Sequence, residues 1–166
     1  MSLTKYINDS IYNDSIHNNN IITERLKITS NTKSATLTPK SKDELITIIK
    51  QELDRQGPDA DLNHIDVSEI KDMSTLFVNL TIKNIKIDQW DVSNVTNMNN
   101  MFQNCYEFNS DLSRWDVSNV KNMEGMFLGC WKFKQDLSGW NVARVTRFRN
   151  FFGKKNIMPE NFKPSF

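Results

Sequence analysis

The chain has 166 residues, 38% of them hydrophobic, and a formal net charge of +1. That length suits one domain of ordinary size, and the near-neutral balance gives the molecule as a whole no bias towards nucleic acid. No apolar run approaches the ~20 residues of a membrane span, and no basic start followed by an apolar core marks a signal peptide in this sequence.

Residues 1–40 are dominated by Asn, Ser, Thr, Asp, Lys and Ile, with no Gly and one Pro, and read as a polar N-terminal arm. Within it, Leu26 to Ile28 and Ala35 to Thr38 alternate enough to suggest short strands. Ser41 and Glu44 then form an S-x-x-E capping box. Leu45, Ile48, Ile49 and Leu53 make an apolar stripe at helical spacing, and Gly57-Pro58 is a helix stop. The spacing predicts a capping helix within 41–60, covering the open end of the segment that begins at Asp61.

From Asp61 onwards the sequence repeats. Trp90, Trp115 and Trp140 lie 25 residues apart and open nearly the same phrase: WDVSNVTNMNNMFQNC, WDVSNVKNMEGMFLGC and WNVARVTRFRNFFGKK. A fainter copy, IDVSEIKDMSTLFVNL, begins at Ile65. A fixed period of this size indicates units that bury their apolar faces on one another. The frame Leu112-x-x-Trp115-x-Val117 has a strand's period of two, with Asp116 directed outward. Val120, Met123, Met126, Phe127 and Cys130 then fall on one side of a three-turn helix, with Ser93 and Ser118 where an N-cap would stand. The Met stripe through Met73, Met98, Met101, Met123 and Met126 lies on that inward side and reads as core. The expected fold class is therefore α/β: a leucine-rich-repeat-like solenoid of about four 25-residue strand–helix coils with a helical N-terminal cap. The expected organisation is an arm at 1–40, the capping helix at 41–60, repeats at 61–152 and a C-terminal cap segment at 153–166.

The phrase W-D-V-S-N-V-T-N-M-x-x-M-F-x-x-C-x-x-F-N-x-D-L-S resembles the 25-residue repeat of BspA-like leucine-rich surface proteins of mycoplasmas and spirochaetes. The likeness covers Asp61 to about Phe152 and is specific because it recurs in register. Lys83 stands in place of the return-segment Phe in the first copy, and Lys155 in place of Cys in the last, so both ends depart from the pattern. The resemblance implies surface attachment or protein interaction without enzymatic activity, and a cell-surface or secreted location, with a cytoplasmic one as the alternative.

The repeat aligns Asp66, Asp91, Asp116 and Asn141 at one outward position, with Ser93, Asn94, Ser118 and Asn119 beside them. Neighbouring parallel strands lie ~4.8 Å apart, where two like charges repel by ~0.9 kcal/mol even in water. Either a cation such as Ca²⁺ or a basic protein partner offsets that repulsion, or each Asp accepts hydrogen bonds from the backbone of its own turn. This strand face is the expected partner-binding surface.

Residues 61–139 carry eleven acids against seven bases, and residues 140–166 six bases against one acid. Arg144, Arg147, Arg149, Lys154 and Lys155 read as the solvated face of a terminal repeat rather than a phosphate site. Cys105 and Cys130, also 25 residues apart, read as two small buried hydrophobes. His17 and His64 sit in no ligand or triad spacing, His64 reading as a solvated side chain, and no glycine-rich phosphate loop is present. No cofactor, metal or catalytic residue is expected. The expected function is non-enzymatic recognition of a protein in an adhesion setting. The alternative is an intracellular adaptor or neutralising partner using the same surface.

Overall fold

The structure, a computed structural model, describes residues 36–166. The expectations for the arm up to Ala35 lie outside the described residues. Just beyond it, Leu37 makes an isolated parallel bridge to Ile65.

Helix α1 spans Lys42–Gln56. The Ser41 hydroxyl accepts from the Glu44 N–H at 3.2 Å, and a Glu44 carboxylate oxygen accepts from the Lys40 N–H at 2.9 Å. The Gly57 N–H closes the last turn on the Leu53 carbonyl. Leu45, Ile48, Ile49 and, in place of Leu53, Glu52 form the buried stripe. Glu52 is only 6% exposed, and the Arg55 and Gln56 side chains both donate to its carboxylate. His64 Nε2 lies 3.8 Å from the same carboxylate, so His64 borders a buried acid instead of standing free in solvent.

The repeats do not form strand–helix coils. Among the described residues the only α-helix is α1, which precedes the repeats, and the only pairings outside helices are isolated parallel bridges, with no sheet. This overturns the expected α/β leucine-rich-repeat-like solenoid. Within the repeats the bridges fall in the sequence register: Asp72 pairs with Asn97, Asn97 with Asn122, and Asn122 with Arg147.

The reason is visible in the backbone hydrogen bonds. The N–H groups of Met98, Asn100, Phe102 and Asn104 donate to the carbonyls of Asn122, Glu124, Met126 and Leu128, all within 2.7–3.0 Å. The intervening N–H groups of Met101, Gln103 and Cys105 close three-residue turns on Met98, Asn100 and Phe102. Half the donors a helix would need are thus spent on the next repeat. Two positions per repeat enforce the arrangement with positive φ: Thr75, Asn100, Gly125 and Asn150 at one, and Asn79, Asn104 and Gly129 at the other. Asn and Gly tolerate that conformation best. Linked three-residue turns return side chains to the same side every three or four residues, which imitates a helical period.

Burial follows the expected pattern although the elements differ. Trp115, Val117, Val120, Met123, Met126, Phe127 and Cys130 are all 4% exposed or less. Phe77, Phe102 and Phe127 stack face to face at 5.2 and 5.6 Å between centroids. Phe108 and Phe133 form a second column at 5.5 Å. The columns touch at 4.2 Å, Phe102 on Phe108 and Phe127 on Phe133. Such pairs each add roughly 0.5–1.5 kcal/mol to the burial itself.

A Cβ on Gly125 would sit 2.1 Å from Asn100 Oδ1, at a φ of +62°. Gly125→Ala is therefore expected to cost about 1–2 kcal/mol from the left-handed backbone alone, with more from displacing Asn100. Chemical denaturation checks this, and an unchanged midpoint would remove Gly125 from the turn argument.

Candidate functional site

The predicted surface residues share repeat positions, but they lie in turns rather than on a strand face. Oδ1 of Asp66, Asp91 and Asp116 accepts from the N–H of Ser68, Ser93 and Ser118 at 3.0 Å, and Asn141 Oδ1 does the same for Ala143 at 3.2 Å. The Ser93 hydroxyl also donates to Asp91, at 2.6 Å. One oxygen of each carboxylate is thus spent on holding its own turn. Asn94 and Asn119 tie neighbouring repeats together by donating from Nδ2 to the carbonyls of Ser68 and Ser93. Arg144 in turn donates to Asn119 Oδ1 at 2.6 Å.

The serine hydroxyls and then the serine N–H groups hold the carboxyls of Asp66 and Asp116 below the ordinary carboxylate value. Asp136, outside the predicted strip, is lowered the same way by Ser138. These turns contribute stability above the ordinary carboxylate pKa and lose it as the pH falls through the lowered value. Among the described residues no group of three or more His, Cys, Asp or Glu side chains could hold a metal ion.

A different feature is more prominent on the surface. Tyr106 and Trp131, at 47% and 46% exposure, pack together at 4.6 Å between centroids. Lys155 Nζ stands 5.4 Å from the centroid of the Trp131 ring. The two rings leave one contiguous apolar patch half-exposed. Sequence reasoning missed the pair, although Tyr106 and Trp131 follow Cys105 and Cys130 directly and share their 25-residue spacing. At the basic end, Arg144, Arg147 and Arg149 are exposed, and Phe148 stacks on Phe166 with both rings over 40% exposed.

Residues 50–163 match the family described as Mycoplasma protein of unknown function, DUF285. That stretch includes the end of α1 and all the stacked repeats. The chain belongs to this family. No curated protein and no solved structure matches it. The DUF285 match is compatible with a surface protein, and no described helix is long and apolar enough to cross a membrane.

In this DUF285 chain the repeated cysteines and tryptophans serve the ladder. Cys105 and Cys130 are free and buried, and each Sγ lies 2.9 Å from a carbonyl 28 residues earlier, of Phe77 and Phe102 respectively. Their thiols are donors as well as apolar filler, which sequence alone did not indicate. Burial raises the Cys105 thiol to about 12, and burial with the neighbouring Cys105 raises Cys130 further.

A raised folded-state value means that the contribution is complete below the unfolded thiol pKa and is lost as the pH rises towards the folded one. Between about pH 9 and pH 12 each cysteine is expected to reduce stability by on the order of 1 kcal/mol per pH unit. Denaturant titrations of wild type and Cys105→Ala/Cys130→Ala at pH 8 and pH 10.5 check this. A wild-type loss no greater than that of the double variant would dismiss it.

Proposed function

We propose that this DUF285 chain is a non-enzymatic protein-recognition module of the BspA-like, cell-surface adhesion type. The observation that carries the reading is the exposed Tyr106–Trp131 pair with Lys155 over the Trp131 ring. Tyr and Trp dominate the energetics of protein interfaces because they desolvate a large rigid area at little entropic cost. The polar turn strip, from Asp66 through Asp91, Ser93, Asn94, Asp116, Ser118 and Asn119 to Asn141, keeps a charged oxygen on each Asp for a basic partner. The hydrogen bonds spent on its own turns give it the weaker claim. The repeat phrase around Trp90 and Trp115 supports the surface-protein setting by resemblance.

The test is flow-cytometric binding of fluorescently labelled protein to epithelial cells, before and after protease treatment of the cells. Tyr106→Ala/Trp131→Ala is expected to lower binding at least tenfold, since removing hot-spot aromatics costs at least about 2 kcal/mol. Asp91→Lys/Asp116→Lys is expected to change it less than threefold. Binding that survives protease treatment, or that ignores the aromatic variant, would sink this reading.

A further inference from the structure

The ladder between repeats stops at its last rung. The N–H groups of Met123 and Gly125 donate to the carbonyls of Arg147 and Arg149, and the Lys121 carbonyl accepts from the Thr146 N–H. One repeat further, the three equivalent groups have nothing to meet. The N–H groups of Phe148 and Asn150 and the carbonyl of Thr146 make no hydrogen bond among the described residues. All five residues from Thr146 to Asn150 are exposed, so nothing described covers this rung. A row of unpaired main-chain donors and acceptors is a sheet edge in miniature, on which an extended segment can pair.

The side chains along the edge alternate. Arg147 and Arg149 make no side-chain hydrogen bond or ion pair among the described residues. Phe148, between them, stacks on Phe166 at 4.6 Å, and both rings are over 40% exposed. The edge thus offers a basic, an apolar and a basic group in turn, within a segment of six bases and one acid at residues 140–166.

A second copy does not suit this edge. At the other end of the ladder, Lys42 of α1 donates to Ser74 Oγ at 2.7 Å and lies 3.8 Å from Asp72, and the apolar stripe of α1 is buried. Head-to-tail continuation would have to displace that helix. Tail-to-tail pairing would set arginines against arginines, which is repulsive. A nucleic acid would meet the arginines but leave the strand-spaced main-chain groups unmatched. We propose that the open rung binds an extended acidic segment of another protein, in which acidic and apolar side chains alternate. The segment runs parallel to residues 146–150. Its carbonyls accept from Phe148 and Asn150, and one of its N–H groups donates to the Thr146 carbonyl. Its acids meet Arg147 and Arg149, and its apolar side chains lie against the Phe148–Phe166 stack. Neither Tyr106 nor Trp131 takes part.

The probe is a fluorescein-labelled heptapeptide in which glutamate alternates with valine and phenylalanine, titrated with the full chain by fluorescence anisotropy. Saturable binding is expected, and the same peptide with lysine for glutamate should bind at least tenfold more weakly. Arg147→Glu/Arg149→Glu should reverse that preference and favour the lysine peptide, a gain that a misfolded variant could not show. On the wild-type chain, N-methylation of one alternate set of peptide amides should abolish binding and methylation of the other set should be tolerated, because only one edge of a strand faces the ladder. Tyr106→Ala/Trp131→Ala should bind the peptide as wild type does, which separates this site from the proposed aromatic interface. Several results would overturn the proposal: no binding, equal affinity for the two peptides, equal sensitivity to both methylation sets, or loss of binding in the aromatic variant. Displacement of the peptide by a single-stranded oligonucleotide at equal concentration, or dimerisation of the chain through Arg147 and Arg149 in sedimentation analysis, would do so too.

Discussion

Phe127→Ala is expected to destabilise the protein by about 3–5 kcal/mol, the usual range for emptying a buried phenylalanine site. Phe127 is fully buried and joins more of the aromatic core than any other ring described. It stacks on Phe102 at 5.6 Å, on Phe133 at 4.2 Å and on Phe152 at 5.7 Å, and meets the edge of Phe151 at 5.3 Å. The backbone around the site cannot easily collapse into the gap. The Phe127 N–H donates to the Phe151 carbonyl and the Phe102 N–H to the Met126 carbonyl, which fixes the flanking repeats on both sides. At 2–4 °C per kcal/mol for a domain of this size, the melting temperature should fall by roughly 6–20 °C. Tyr106→Ala, at a half-exposed ring that touches Trp131 alone among the described aromatic rings, is the control and should cost no more than about 1.5 kcal/mol. A Phe127→Ala loss below about 1.5 kcal/mol would mean that the columns are not the core the geometry makes them.

The inward and outward pattern of these residues was legible because it depends only on which side chains return to one side. The choice of element was not. Val120, Met123, Met126, Phe127 and Cys130 have a spacing that a helix and a chain of three-residue turns produce equally well. The distinguishing signal was present in Asn100 with Asn104 and Gly125 with Gly129, left-handed positions four apart in successive repeats. Two such residues inside one short helix would each carry a penalty, and together they argue for turns. Helix α1 was legible from its capping box and stop signal. The burial of Glu52 in place of Leu53 was not, because it depends on Arg55 and Gln56 satisfying the carboxylate.

The surface divides in the same way. The turn hydrogen bonds at Asp91 and Asp116 were foreseeable as the alternative to a partner or a cation, since Asp two residues before a Ser N–H is local chemistry. The open rung was not legible. The Phe148 and Asn150 N–H groups show as unpaired only when the 25-residue register is fixed by hydrogen bonds such as Asn109 N–H to the Lys83 carbonyl and Gln135 Nε2 to the Asn109 carbonyl.

That register rests partly on the tryptophans, and Trp115 separates the two ways in which they act. Trp115 is 4% exposed, stacks on Trp90 at 6.4 Å, and donates from Nε1 to the Ile87 carbonyl at 2.9 Å. The same carbonyl already accepts from the Trp90 N–H at 3.2 Å, so the indole occupies its second lone pair and joins one repeat to the next. Trp90 and Trp140 do likewise with the carbonyls of Leu62 and Leu112. Trp115→Ala removes both the ring and the bond and is expected to cost about 3–5 kcal/mol. Trp115→Phe keeps most of the ring and drops only the donor. Because Ile87 retains its first hydrogen bond, the loss should approach one ordinary net bond, about 0.5–1.5 kcal/mol, plus a small term for the lost ring area. Equilibrium denaturation of the two variants gives the partition, with the slope of the transition expected to stay constant. A phenylalanine variant as stable as wild type would leave the tryptophans as filler alone, whereas one as damaged as alanine would make the indole N–H the main tie between repeats.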